Sequence, residues 1–408
     1  MTKKITLTAL AVSAAFLSIN AHSAGFQVNE HSAAGLGRAF SGEAAIADNA
    51  SVIARNPAAM TMFDRMQFSG AISYIDPQVD ITAQSSGEKA TDVAPTAVVP
   101  AGYFIQPINN KFAWGLAMFS NYGFATEYPS DFTYGTDAGT TDLLTLNLNP
   151  NIAYRINENF SIGAGVNLVY ADAELIRHYG GLQPSNPSAD FLKLEGDTWE
   201  WGWNIGFLYE VNKDNRFGLS YRSEVELKFD GDFTDYTDGK FIEGGNPGDT
   251  VPGKLNVITP AIAEFGGFHQ LNNQWAVHYG VQWVQWSKFK ELRATSDQCV
   301  DNLCLLKEED FDDNFRYSIG ATYNLNPDWI LRAGFAFDEQ AGQSTLSIPD
   351  TDRYWYSAGF TYNYSNQMTF DFGFTYLYGK SNSFEESGET FHASNDAYLT
   401  SAQINYIF

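Results

Sequence analysis

The sequence predicts an all-β transmembrane protein, a 14-stranded antiparallel outer-membrane β-barrel plugged by a small, partly helical N-terminal hatch. Three observations carry that prediction. An export signal opens the chain, period-two alternation with an aromatic face fills most of it, and short Asn-rich turns recur between longer polar loops. Composition narrows the field first. The 408 residues are 18% charged and 15% aromatic, with 31 Phe, 22 Tyr and 9 Trp. At about 150 residues per soluble domain this length would give two or three domains, but single barrels also run this long. With 24 Lys and Arg against 48 Asp and Glu, the net charge is −24, so no basic surface can neutralise the phosphates of nucleic acid. Two cysteines exclude a disulfide scaffold and a Cys-rich metal site. Past residue 20, every stretch of 18 residues carries charged or strongly polar side chains, which excludes a spanning helix.

The first element is the signal. Lys3 and Lys4 form a positive n-region, residues 5–19 are apolar but for Thr and Ser, and Ala21-His22-Ser23 places small residues before a cleavage at Ala24. Residues 1–23 therefore read as a secretory signal peptide rather than a buried helix. No Cys follows, so no lipid anchor is expected, and the mature chain is exported.

The next element, residues 24–62, lacks alternation. It is rich in Ala, Gly and Ser, with charges at Glu30, Arg38, Glu43, Asp48 and Arg55. Residues 32–46 read as one or two short helices, and Asn56-Pro57 forces extended or turn backbone at Asn56. A barrel of this size could pass water if left unfilled, so these residues are expected to plug it. A free periplasmic tail is the alternative, and thiol labelling of cysteines placed at Ala33 and Ala45 separates the two.

Residues 63–408 read as barrel. In residues 144–156 the even positions are Leu, Leu, Leu, Pro, Ile, Tyr and Ile, against Thr145, Asn147, Asn149, Asn151, Ala153 and Arg155. Trp199, Trp201, Trp203, Ile205, Phe207, Tyr209 and Val211 alternate in the same way, as do Phe370, Phe372, Phe374, Tyr376 and Tyr378. One face is thus thick with aromatics, as lipid girdles require, and the other suits a polar or filled lumen. Short turns stand at Asn109-Asn110, Asn157-Glu158-Asn159, residues 212–215, Asn272-Asn273, Asn326-Pro327-Asp328 and Ser365-Asn366. Six turns join twelve strands; one more at residues 66–75 and a last at 398–408 make fourteen, with both ends on the short-turn, periplasmic side. The alternation ends on the aromatic carboxylate of Phe408, read as the contact for the outer-membrane assembly machinery, and lipid demands closure of last strand on first.

Several motifs bear on function. Ala24 to Glu30 (AGFQVNE), Gly35 to Glu43 (GLGRAFSGE) and Arg55-Asn56-Pro57-Ala58 resemble the N-terminal hatch of the FadL-type long-chain fatty acid transporter family. The resemblance continues through Ser120-Asn121-Tyr122-Gly123, Tyr221-Arg222-Ser223-Glu224-Val225, Phe337-Asp338 and Ile348 to Arg353. It implies a plugged 14-stranded barrel that passes hydrophobic compounds inward by diffusion, without an energy source or cofactor. Hatch residues by this resemblance include Phe26, Asn56, Pro57 and Ala58. The family has an inward kink in the third strand that opens the wall sideways, here Asn121, Tyr122 and Gly123. Its basic residues around the carboxylate pocket match Arg177 and Lys307. The loop at residues 179–194 is short for the family, and a cysteine pair is not one of its features.

The residues themselves agree that a carboxylate needs such cations, because a desolvated carboxylate is costly unless paired. Arg177 follows Glu174-Leu175-Ile176 at the end of the fifth strand, and Lys307 follows Leu305-Leu306; solvated loop charge is the bland alternative for both. Cys299 and Cys304, in an exported loop, are expected to form a disulfide. The Asp-rich runs at 230–238 and 308–313 lack calcium-loop spacing and read as solvated surface, bridged to lipopolysaccharide by divalent cations. No nucleophile elbow or phosphate loop occurs, so no enzyme is expected. The expected partners are long-chain fatty acids or similar hydrophobic molecules and outer-membrane lipid, the protein acting as a monomer. A general porin and an outer-membrane lipid hydrolase are the rivals.

Overall fold

The structure, a computed structural model, describes residues 25–408; the expected signal peptide and Ala24 lie outside them. The wall begins with β1 (Gln67–Ala83), β2 (Ala97–Pro107), β3 (Phe112–Phe119 and Gly123–Glu127), β4 (Gly139–Arg155) and β5 (Phe160–His178). It continues with β6 (Asp190–Asn212), β7 (Asn215–Arg222 and Val225–Asp235), β8 (Asp249–Thr259 and Ile262–Gln270) and β9 (Trp275–Val284 and Glu291–Thr295). Then follow β10 (Leu303–Glu308 and Asn314–Asn326), β11 (Trp329–Asp338), β12 (Arg353–Asn363), β13 (Met368–Gly379, prolonged by Asn382–Glu386) and β14 (Glu389–Ile407). Each strand pairs antiparallel with the next. β14 closes on β1 from Gln67↔Ile407 to Ala83↔Phe391, so the count of fourteen and the closure hold.

All six Asn-rich turns fall between consecutive strands at one end of the barrel. They work by Asx geometry: the Asn157 side chain accepts from the backbone of Asn159 and Phe160, and Asn272 and Asn326 repeat the device. The wall is inside out relative to a soluble protein. On β4, Leu148 and Ile152 are 38% and 68% exposed, whereas Asn147, Asn149 and Asn151 are buried in the lumen. Trp199, Trp201 and Trp203 of β6 point outward.

Three expectations need correction. The first strand reaches Ala83 and the last starts at Glu389, because strands extend well beyond the lipid on the loop side. For the same reason the run at 230–238 is partly wall: Asp230 and Asp232 lie on β7, and Asp235 is buried with its carboxylate accepting from the backbone of Thr237, Phe241 and Ile242. The loop placed at 179–194 ends at residue 189, since β6 starts at Asp190. Within residues 32–46 the chain forms one short helical turn, α1 (Ala33–Leu36), capped by the Ser32 hydroxyl. Beyond Gly37 the chain turns sharply, with Ala39 and Phe40 at positive φ. Two 3₁₀ turns follow, Ala50–Ala54 and Pro57–Met62, capped by Asn49 and Asn56.

These N-terminal residues fill the lumen, nearly all of them buried. α1 packs on β12, β13 and β14, and the Pro57–Met62 turn packs on β4, β5 and β6. Contact is backbone to backbone where the wall has glycine. A Cβ at Gly334 would stand 2.1 Å from the Arg38 carbonyl oxygen, and one at Gly218 only 1.8 Å from that of Ala44. Buried ion pairs supplement the packing: Arg38 holds Glu43 and Asp48 at 2.7 Å each, and Arg55 holds Glu264 of β8 at 3.2 Å.

Candidate functional site

Above the plug lies an apolar chamber whose empty space, open mouth included, is about 670 Å³. Leu143, Leu175, Leu194, Phe229, Leu255 and Val257 from β4 to β8 form one side. Phe289 and Leu292 come from β9, whose residues 285–290 leave the wall and fold inward through a 3₁₀ turn, burying Trp286 as well. Ile348, on the loop between β11 and β12, closes the outer end, and Phe26 closes the inner end.

At the outer end the structure brings Arg177 and Lys307 together. Arg177 Nη2 donates to Ser347 Oγ at 2.9 Å and Lys307 Nζ donates to the same oxygen at 2.6 Å. Ser347 precedes the chamber residue Ile348, and Leu175 stands two residues below Arg177 on the same face of β5. Arg177 is buried and its orientation is fixed: Nη1 donates to the carbonyls of Thr140 and Ile176, and Nη2 also to Thr141 Oγ1. Lys307 sits on the outer segment of β10 together with Cys304, which is joined to Cys299 in a disulfide. An isolated bridge, Ile242↔Cys299, ties this segment to the neighbouring loop.

Three members of this site escaped the sequence reading. Ser347 supplies the shared oxygen. Glu386 pairs with Lys307 at 3.0 Å, while its other oxygen accepts from the Leu346 amide at 2.6 Å. Glu309, expected as solvated surface, is instead buried beside them, accepting from Thr345 Oγ1 at 3.3 Å. Burial pushes its carboxyl up to about 7; nearby Glu386 adds to the rise and Lys307 opposes it. The only sequence signal for any of the three is that Ser347 precedes the Ile348-Pro349-Asp350 motif.

At the inner end β3 is broken between Phe119 and Gly123, where the family resemblance implies a kink over Asn121, Tyr122 and Gly123. Both segments stay paired to β4, but β2 pairs with β3 only up to Gly102↔Met118. The wall between β2 and the outer half of β3 therefore has no ladder. Plug backbone covers that edge instead, with Val28 N donating to Asn121 O at 2.7 Å and Gly123 N to Phe26 O at 2.9 Å. The Phe26 ring fits among Tyr122, Trp286 and Phe289, at centroid distances of 5.8, 4.6 and 5.1 Å. It thus stands between the chamber and the break. Asn56, Pro57 and Ala58 lie at the short-turn end, where Asn56 Nδ2 donates to Phe207 O at 2.9 Å.

Comparison with known proteins adds a lineage. A family model described as outer membrane protein transport protein (OMPP1/FadL/TodX) matches residues 14–408. The chain is 41% identical over 441 residues to the long-chain fatty acid transport protein of Escherichia coli K12, covering 99% of this chain and 98% of that one. It is 40% identical to the 47 kDa outer membrane protein of Pasteurella multocida, over 100% and 99% of the two chains. Among solved structures, a Pseudomonas aeruginosa FadL homologue superposes with a TM-score of 0.83 at 21% identity, covering 94% of this chain and 99% of that one. The Pseudomonas putida toluene transporter TodX does so with a TM-score of 0.73 at 18% identity, covering 96% and 99%. At these identities the two structures support the fold alone.

Proposed function

Because the chain belongs to the OMPP1/FadL/TodX family of outer membrane transport proteins, we propose that it carries long-chain fatty acids and similar hydrophobic compounds across the outer membrane by passive diffusion. The family is one of transporters and channels, so the protein is a transporter and not an enzyme. The signal at 1–23 is removed, the hatch at 24–62 closes the lumen, and the barrel at 63–408 acts as a monomer. Acidic loops meet lipopolysaccharide through divalent cations, and Phe408 addresses the chain to the assembly machinery.

One observation carries the choice of a fatty acid: two cations converge on a single oxygen, Ser347 Oγ, at the rim of an apolar chamber. A carboxylate there would accept charge-assisted hydrogen bonds from both while its chain lies among Leu143, Phe229 and Phe289. Displacement of Phe26 then exposes the break in β3 at Asn121, Tyr122 and Gly123, and the ligand leaves sideways into the bilayer. Such a route avoids the aqueous periplasm and asks only the first residues of the plug to move.

Replacing Arg177 or Lys307 by Ala removes about 1.5–3 kcal/mol, a loss of roughly ten- to hundredfold in oleate affinity. The alcohol of equal length should bind nearly as before, and the double mutant should be less than additive. Equal losses for acid and alcohol would refute the ionic assignment.

A further inference from the structure

The proposed route leaves a difficulty at its inner end. A carboxylate that leaves Arg177 and Lys307 must cross the apolar chamber before its tail can enter lipid, and an unpaired anion there is costly. The residues around the break in β3 include a cation suited to receive it.

Arg222 ends the inner segment of β7 and lines two small cavities. One of them also contains Asn121 and Tyr122 of the break, together with Asn147, Asn167 and Val169. The other contains Asn121, His31, Arg55 and Asn204. Among the described residues Arg222 has no carboxylate within ion-pair distance, although Arg55 close by is paired with Glu264. Its Nη1 donates to Asn167 Oδ1, its Nη2 to the Ala54 carbonyl at 2.9 Å, and its guanidinium lies 5.1 Å from the Phe119 ring centroid. Two bonds leave most of the five guanidinium N–H donors for a ligand.

The surrounding polarity is also surplus to packing. Asn147 Nδ2 donates to Asn121 Oδ1 and Asn167 Oδ1, and Asn149, Asn151 and Asn204 form a second linked group. Yet among the described residues Asn167 Nδ2, in a residue 1% exposed, has no partner, nor has Asn147 Oδ1. A buried donor without a partner costs about 1–3 kcal/mol, so a site that keeps one beside an unpaired guanidinium is built for an anion. Arg216 and Arg316, which among the described residues also have no ion pair within 4 Å, donate to plug carbonyls but line neither cavity.

We propose that Arg222, with the Asn167 amide, forms a second carboxylate site beside the β3 break, which receives the fatty acid head group as the tail passes out through the wall. This rests on the transport reading above and deepens it. Arg177 lies ten residues beyond Asn167 on β5, about 33 Å along the strand at 3.3 Å per residue, so the two cationic sites are occupied in succession rather than chelating one head group.

Two measurements test it. With Arg222→Gln, oleate affinity of the purified protein should stay within about twofold, because the outer site is intact, while oleate uptake falls about tenfold or more. Uptake of oleyl alcohol should be unchanged, and Arg222→Lys should recover most of the rate. Equal losses for acid and alcohol would make Arg222 a support for the plug and overturn the proposal, as would unchanged oleate uptake. The second measurement is independent of transport. A fatty acid bearing a photoreactive group on carbon 2 should crosslink to Asn147 or Asn167 in wild type and in the Arg177→Ala/Lys307→Ala protein, but not in Arg222→Gln. Saturable uptake without that crosslink would refute the inner site and spare the transporter; the crosslink without uptake would do the reverse.

Discussion

From β11 round through β14 to β1 the ladders hold one register through Gly379, with a one-residue offset where β13 is prolonged over Asn382–Glu386, whereas from β2 to β9 the wall opens most widely at three places. β2 and β3 separate beyond Gly102↔Met118. β6 and β7 pair at Asn204↔Arg222 and again at Asp197↔Asp230, with no ladder between residues 198–202 and 224–229. β8 and β9 pair at Ile262↔Val284 and again only at Asn256↔Arg293, the inward fold of β9 lying between. Unpaired backbone at membrane depth is costly unless it is buried or lines a cavity. The chamber, Arg177 and Arg222 all belong to the interrupted half, and α1 of the plug rests on the continuous one. The plug is seated on both halves, its Pro57–Met62 turn packing on β4 to β6, but the interrupted half also forgoes hydrogen bonds to make room for a ligand.

The largest effect should come from spoiling the continuous half. Gly334→Leu places side-chain atoms where the Arg38 carbonyl now sits, so α1 and the turn after it cannot seat. Single-channel conductance in planar bilayers should rise from nearly closed to a persistently open level, by an order of magnitude or more if the lumen of a 14-stranded wall is uncovered. A conductance like wild type in correctly folded Gly334→Leu would mean that the plug is not seated by this half.

Arg38→Met attacks the same seat electrostatically. It leaves Glu43 buried without its partner, whereas Asp48 keeps Arg332 at 3.4 Å. Breaking a buried pair costs roughly 3–5 kcal/mol, and the surviving Arg332 contact puts the loss at the low end. Amide exchange over residues 33–45 should quicken roughly a hundredfold, with the β11–β14 ladders unaffected.

The division between the two halves also marks what the sequence could reveal. Strand number, turn side and the lipid-facing residues were legible because period two and Asx turns are local signals, carried by runs such as Leu144 to Ile156. The seat of the plug was not, since it depends on Gly218 and Gly334 meeting main chain far away in sequence, and a glycine gives no hint of what approaches it. Arg177 and Lys307 stood out as sparse cations among apolar residues, and the break at Asn121 to Gly123 as a motif inside a strand. Their setting was hidden. Ser347, Glu386 and Glu309 join them only because loops from β10, β11 and β13 fold over the lumen, and the burial of a carboxyl such as Glu309 cannot be read from an acidic run.

In the interrupted half, a bulky residue at Gly123 should separate holding from release. Gly123 N is bonded to Phe26 O at the broken edge, so a Leu side chain at position 123 narrows the proposed exit. Overpacking costs about 1–3 kcal/mol, which corresponds to release slowed by roughly tenfold. Oleate affinity should stay within about twofold, because Arg177 and Lys307 are untouched. A fall in affinity as large as the fall in rate would place the break inside the binding site.

The smallest effect is one of pH, at the outer site. Glu309 is surrounded by Lys307, Glu386 and Arg177, and burial raises its carboxyl from an ordinary 4.5 to about 7. The folded protein thus holds this proton more tightly than the unfolded chain. The stability Glu309 contributes is fully present below about pH 4.5 and is lost as pH rises through 7. Binding follows the same sign. Between pH 6 and 8 Glu309 passes from neutral to anionic beside the proposed head-group site, and a second anion there is repelled. Dodecyl sulfate, charged throughout this range, separates the protein's titration from the ligand's. Its affinity for wild type should fall across the interval by on the order of 1 kcal/mol, about fivefold, for like charges near 10 Å at intermediate dielectric. Glu309→Gln should bind at pH 8 as wild type does at pH 6, with no slope between. If the slope survives that substitution, Glu386 or a more distant group sets it, and Glu309 is buried for the stability of the outer loops alone.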